Sequence, residues 1–453
     1  MEISASKMAP PRLSPPTIQI GLAYALIHLI LSTTTAFTPA KSHLRQPAFA
    51  AILALAISIQ ITVQNDSLAT RSSIPTPLRG MLAADAWIQV FNGFDMLLHS
   101  RISYEEHIRW KERKIRERAI QLRSTEVNDS GGGGVNALWF ALTMPNNFRR
   151  INTKWQIRPL YSFSGNAAEK GSDEVPSRAA FIAGRVKSVL VTFGLATCLS
   201  RVCSYLGCIP GQSALRGTLE NHGRLLSFFS SSSSDATWKS LVALIHPTVF
   251  AIVDLFLVQR TVYALSSIAA VSLHFSSPSD WPPVQASPRE AYSLRRFWGH
   301  FWHQAFRAFL CGTADALITA ISTSVTPSSE KKLHKRNSLL ARYTRYLIVF
   351  LVSGLIHLFL DLAVGISFRA SGALPFFLVQ VVGFGVEDAV AYSARRFQMR
   401  TNRQIPVWAT RAVGYTWVAA FCIWSWRPWV FPLLLKALEG GDPLTSTWFG
   451  YWV

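Results

Sequence analysis

Charge is scarce in this chain. Of its 453 residues only 15% are Asp, Glu, Lys or Arg, against about a quarter in soluble domains. That deficit excludes an ordinary soluble protein, because 49% of the residues are hydrophobic and 15 Trp and 28 Phe stand among them. Acidic side chains are the scarcer sign, 25 against 45 basic, for a net charge of +20. The basic residues lie in blocks between apolar runs, which is the positive-inside pattern rather than a nucleic-acid-binding surface. Anionic lipid and phosphate-bearing substrates are the partners that such charge favours.

Cysteine is scarce as well. Cys198, Cys203, Cys208, Cys311 and Cys422 form no C-x-x-C pair. The first three recur every five residues, a turn of about 140° each on a helix, so they cannot share a metal. All five are expected to be buried thiols, with no metal site. The paired Asp-rich clusters with which membrane prenyltransferases hold magnesium diphosphate are missing, since Glu387-Asp388 stands alone. The glycines of NDSGGGG (128–134) precede no Gly-Lys-Ser/Thr, so they are a flexible break and not a phosphate loop. No internal repeat and no matched pair of Gly/Pro-broken spans supports a transporter.

What the chain does hold is a series of apolar runs, at 18–37, 48–63, 81–98, 186–208, 241–275, 301–321, 343–368, 373–392 and 407–435. The first is long enough to cross a hydrocarbon core of about 30 Å and reads as a span or signal anchor rather than a cleaved leader. The run at 81–98 carries Asp85, Asn92 and Asp95 and is expected to be buried or re-entrant. Six basic side chains lie in 326–345 and four in 395–403, while none follows Lys436. Both basic loops are therefore predicted on the cytosolic side, and the turn near 369–372 and the C-terminus on the other. The architecture predicted is all-α: a polytopic integral membrane protein of about eight transmembrane helices. A disordered tail (1–17) precedes the membrane domain (18–437), whose motif-bearing core is 290–435, and a second tail (438–453) follows.

Two constellations stand out. RRFWGHFWHQAFR (295–307) places Arg296, His300, His303, Gln304 and Arg307 in one arc of about 100° if wound as an α-helix, with Phe297, Trp298, Phe301 and Trp302 opposite. The pattern suits an aromatic interfacial anchor or an active-site helix. In the run 343–368, Ser353, Gly354, His357 and Asp361 share a face near mid-span. An ionisable pair at that depth is costly to expose to lipid and points to a functional site facing the protein interior. Asp361, four residues after His357, is expected within reach of the imidazole, fixing its tautomer.

Together these stretches resemble the wax-synthase-like membrane-bound O-acyltransferases. RRFWGHFWHQAFR resembles that family's W-G-x-x-W-H-Q-x-F-R stretch, and SGLIHLFLD (353–361) its S-G-x-x-H stretch with the essential histidine. FRRINTKWQIRPL (148–160) resembles R-G-I-G-T-x-W-x-V, with Arg150 and Asn152 where glycines are expected. FFLVQVVGFGVEDAV (376–390) and VGYTWVAAFCIWSWRPWVFP (413–432) resemble its last two spans. The likeness runs over roughly residues 75–435 and is strongest to the fungal branch, whose members acetylate terpenoid or meroterpenoid hydroxyls from acetyl-CoA.

The resemblance implies an acyl-CoA-dependent O-acyltransferase, multi-pass in the endoplasmic reticulum, with acetyl-CoA as co-substrate, no bound cofactor and a catalytic tunnel inside the membrane. His357 is the implied general base and His303 the second active-site residue, positioning substrate or donating to the oxyanion. Asp361, Trp302, Gln304 and Ser353 support them, with Trp302 walling the tunnel. Arg296 and Arg307 are candidates for the CoA phosphates on charge alone. No Ser or Cys sits in a nucleophile setting, so no acyl-enzyme is expected. Two other readings remain open: a wax-ester synthase acting on long-chain alcohols, and a membrane transporter with an intramembrane His–Asp pair.

Overall fold

The computed structural model describes residues 14–69, 73–122, 133–161, 163, 175–205, 234–302, 304–325 and 339–440. The tail at 1–13, the basic loop at 326–338 and the tail from 441 lie outside the described residues, and so does His303. Within them every regular element is a helix, as composition predicts. In chain order these are α1 (Pro15–Phe37), α2 (Arg45–Leu68), α3 (Thr76–Gly93), α4 (Tyr104–Leu122), α5 (Gly133–Thr143), α6 (Arg178–Tyr205), α7 (Ser234–Ser272), α8 (Arg307–Val325), α9 (Leu339–Ala363), α10 (Ala373–Thr401) and α11 (Val407–Gly440).

Among the described residues seven helices are long and apolar enough to cross a membrane: α1, α2, most of α6, the later part of α7, α9, α10 and the first thirty residues of α11. α3, which carries Arg79, Asp85, Gln89 and Asn92, is not one of them. At its start Gly80 packs on Leu360 and Val364 near the end of α9. Past its far end Asp95 packs on Gly312 of α8. Its polar side chains are not offered to lipid: Asn92 and Asp95 bind Arg150 at 2.7 and 3.1 Å, and Asn92 also donates to the Pro145 carbonyl.

The run 301–321 is the departure from expectation, because it does not cross. A short helix (Leu294–Arg296) and a π-helical turn (Phe297–Trp302) carry the chain inward. The start is pinned at the basic end, where Leu294 N–H donates to Glu387 and Arg295 pairs with Asp388, which also holds Arg342. The inner tip sets Trp302 against Trp426, at the level of Phe376. Phe376 precedes Asp388 by twelve helical residues, a depth of about 18 Å. α8 then leads back, and Asp315 pairs with Arg345 at 2.8 Å, again at the basic end of α9. The segment is a re-entrant hairpin with polar residues at its tip, and such backbone is stable at membrane depth only inside protein.

α9 is the central element. On one side it meets α2 and α3, where Trp87 stacks on Phe359 at 3.9 Å over a core that includes Ile27, Ile52, Ile59 and Ala83. On the other it meets α10, and Gly354 lets Leu374 and Phe377 approach to a distance at which any Cβ would be crowded. The turn between α9 and α10 is equally tight. Gly365 takes φ +88°, and Gly372 lies so close to the Pro428 carbonyl that a Cβ would sit 2.0 Å from its oxygen.

Of the cysteines, Cys422 is buried, Cys311 half-buried and Cys198 exposed on α6. Cys198 corrects the expectation of a uniformly buried set: it faces the apolar outer surface, where a thiol is no less compatible than in a core.

Candidate active site

His357 lies on α9 where three helices meet. Its ring is 4.6 Å from Phe377 of α10 and 4.8 Å from Trp429 of α11, the latter edge-on at 88°. Nδ1 is 2.7 Å from the Ser353 carbonyl. A carbonyl oxygen only accepts, so the proton sits on Nδ1 and the Nε2 lone pair is free for another partner. The residue is half-buried.

Asp361 is placed differently from the sequence expectation. Its carboxylate accepts from Ser371 Oγ at 2.5 Å and from Trp429 Nε1 at 3.2 Å, and it is fully buried. It fixes the indole that packs on His357, while Ser353 fixes the tautomer. The one-helix spacing did not reveal this because Trp429 and Ser371 come from elsewhere in the chain. Ser353 contributes its backbone to His357, and its hydroxyl donates back to the Val349 carbonyl at 3.0 Å.

An aromatic cluster continues from Trp429. Phe376 stacks on it at 5.2 Å, Trp426 lies 5.8 Å away, and Trp302 meets Trp426 at 5.4 Å. The tip of the re-entrant hairpin is thereby joined to the His357 cluster through α11. Trp298 donates to Gln380 at 3.0 Å inside the same cluster, and Phe297 and Trp302 are buried. These aromatics pack in the interior and are not a headgroup-level anchor. Trp426, Trp429 and Phe377 had no assigned role in the sequence. Their signal was the i, i+3 spacing of two tryptophans in WSWRPW.

Gln304 is buried and ties the hairpin to the loop before α6: its Nε2 donates to the Pro159 carbonyl at 2.9 Å. Tyr161 in that loop donates to the His300 carbonyl at 2.6 Å. The loop keeps its shape without the expected glycines. Arg150 and Asn152 take φ of +56° and +59°, the left-handed region that glycine enters freely and asparagine tolerates. Arg150 occupies it with its guanidinium ion-paired to Asp95, so an ion pair within α3's polar cluster accompanies the strain.

The arc predicted for Arg296, His300 and Arg307 is interrupted, because the π turn at 297–302 and the non-helical residues 304–306 replace a continuous α-helix. The three still form one electropositive mouth. The charges of Arg296 and Arg307 both act on His300. Arg296 is paired with Glu290 and covers the Tyr292 ring at 4.7 Å, which occupies the group proposed for phosphate. Arg307 makes no ion pair among the described residues. Arg149 adds a buried cation nearby, held by the Pro282 and Pro283 carbonyls and Tyr263.

Helices around a histidine within an apolar span, beside a hairpin that reaches the same cluster, form a candidate site inside a membrane-embedded bundle. A sequence profile described as "Membrane bound O-acyl transferase family" matches residues 281–379, which hold the hairpin, α9 and the start of α10. The chain is 26% identical over 428 residues to acetyltransferase aurG of Calcarisporium arbuscula, covering 94% of each. It is 29% identical to acetyltransferase nanB of Aspergillus nanangensis, over 70% of this chain and 72% of that one. Acetyltransferase ataH of Aspergillus terreus is 39% identical over 171 residues, where the match spans 52% of that protein. No solved structure matches the chain significantly. Residues 281–379 are thus similar to the membrane bound O-acyl transferase family, and most of the chain's length is similar to acetyltransferases of fungi.

Proposed function

We propose that this protein transfers an acetyl group from acetyl-CoA to a hydroxyl of a hydrophobic terpenoid or meroterpenoid, in the endoplasmic reticulum membrane. The observation that carries the reading is the Nδ1 hydrogen bond of His357 to Ser353, which leaves Nε2 ready to accept a proton. His357 takes the acceptor's hydroxyl proton as that oxygen attacks the thioester carbonyl carbon. Collapse of the tetrahedral intermediate breaks the C–S bond, and the imidazolium returns its proton to the leaving thiolate. Phe377 and Trp429 wall the imidazole and keep bulk water from competing with the alcohol.

The CoA phosphates are assigned to the basic mouth, with Arg307 as the principal cation and Arg296, already paired, contributing field rather than a direct fork. His303, which lies outside the described residues, is assigned to positioning the substrate on the resemblance of its W-H-Q stretch. The names of the fungal relatives support acetyl over longer acyl chains. Microsomes containing the protein, given radiolabelled acetyl-CoA and a panel of terpenoid alcohols, are expected to form labelled esters. Labelling with palmitoyl-CoA and long-chain alcohols in its place would favour the wax-ester reading.

A further inference from the structure

One donor in the aromatic cluster has no partner among the described residues. Trp426 is 1% exposed, and its Nε1–H meets no acceptor among them. Its neighbours are rings: Trp302 at 5.4 Å, Phe376 at 5.2 Å and Trp429 at 5.8 Å. Two other tryptophans in the cluster have partners, Trp298 in Gln380 and Trp429 in Asp361. Native interiors rarely leave a buried N–H unmatched, and such groups ask for a ligand or a role. If packing alone were required, phenylalanine would fill the place without burying a donor.

We propose that Trp426 is a catalytic residue whose Nε1–H donates to the thioester carbonyl oxygen and holds the negative charge that develops there. The inference rests on the acyl-CoA reading above. Trp429 touches both Trp426 and His357, so donor and base lie against the same indole. As the acceptor oxygen attacks, its proton passes to His357 Nε2 and the carbonyl π pair moves onto the oxygen beside Trp426. That pair re-forms the C=O bond as the C–S bond breaks, and the thiolate takes the proton from His357. A donor fixed by ring packing needs no reorganisation during the step, which makes such groups effective.

The test is infrared spectroscopy of acetyl-CoA carrying 13C at its carbonyl, bound to the His357→Ala protein so that no turnover occurs. The carbonyl band is expected at lower wavenumber than in free acetyl-CoA, and the displacement is expected to vanish when Trp426→Phe is added. Benzothienylalanine at position 426, which replaces N–H by sulfur in the same shape, gives the same comparison should the phenylalanine variant fail to fold. In the otherwise native protein, Trp426→Phe is expected to lower kcat about 10²-fold with little change in KM for acetyl-CoA. Bound acetyl-CoA with the same carbonyl frequency in both proteins overturns the proposal. Absence of acetyl-CoA binding to either protein overturns the acyl-CoA reading and this inference with it.

Discussion

Trp429 stands edge-on to His357, ring centroids 4.8 Å apart, while its indole N–H donates to Asp361. The carboxylate thus acts on the base through an intervening ring. Asp361→Asn retains an oxygen for Trp429 and is expected to keep activity within about threefold. Asp361→Leu frees the indole and is expected to lower kcat at least tenfold, about 1.4 kcal/mol in the barrier. Measured kcat and expression level for both variants check this. Equal loss in the two would mean that the charge, not the indole contact, matters.

The hairpin makes a topological prediction. Tags at 326–335 and 397–402 are expected to be accessible from one side of the membrane, and a cysteine replacing Arg369 from the other. Protease protection and impermeant thiol labelling read this directly. Opposite sides for the two tags would mean that 294–325 crosses and that the depth assigned to Trp302 is wrong.

His107 on α4 gives a pH dependence of stability. Its ring is buried 5.3 Å from Phe140, its Nδ1 is unpartnered, and burial with the nearby Lys111 charge lowers its pKa from 6.5 to about 4. The unfolded chain therefore binds more protons between those values. Stability is retained above pH 6.5 and lost as pH falls toward 4, at up to about 1.4 kcal/mol per pH unit from this group. His107→Phe is expected to flatten the dependence of Tm in detergent over that window. An unchanged slope would place the titrating group elsewhere.

Much of this arrangement was legible in the sequence because membranes constrain it so strongly. The helical class, the central span with His357, and the loops' charge asymmetry follow from hydropathy and position alone. Helical spacing failed at 295–307, since a π turn and non-helical residues at 304–306 are not encoded in a 3.6-residue period. It failed again at Asp361, whose partners Ser371 and Trp429 are ten and sixty-eight residues away. The run at 301–321 read as a span because hydropathy cannot distinguish lipid from aromatic protein surroundings. Arg150 and Asn152 looked like departures from a glycine pattern, yet their positive φ shows that the backbone requirement persisted.

Arg427 on α11 is 4% exposed, and its Nε and Nη1 have no hydrogen-bond partner among the described residues. A guanidinium does not shed its proton, so its burial carries an uncompensated desolvation penalty. Arg427→Met is expected to raise Tm in detergent, by the equivalent of about 1–4 kcal/mol. A lowered Tm would show that the cation is compensated in the native protein.

The central claim is that Nε2 of His357 takes the acceptor's proton. Acetyl transfer in membranes matched for protein content tests it most directly, with His357→Ala compared against the native chain. The account predicts a fall of about 10²–10⁴-fold at unchanged membrane insertion. Turnover above one tenth of native would contradict it.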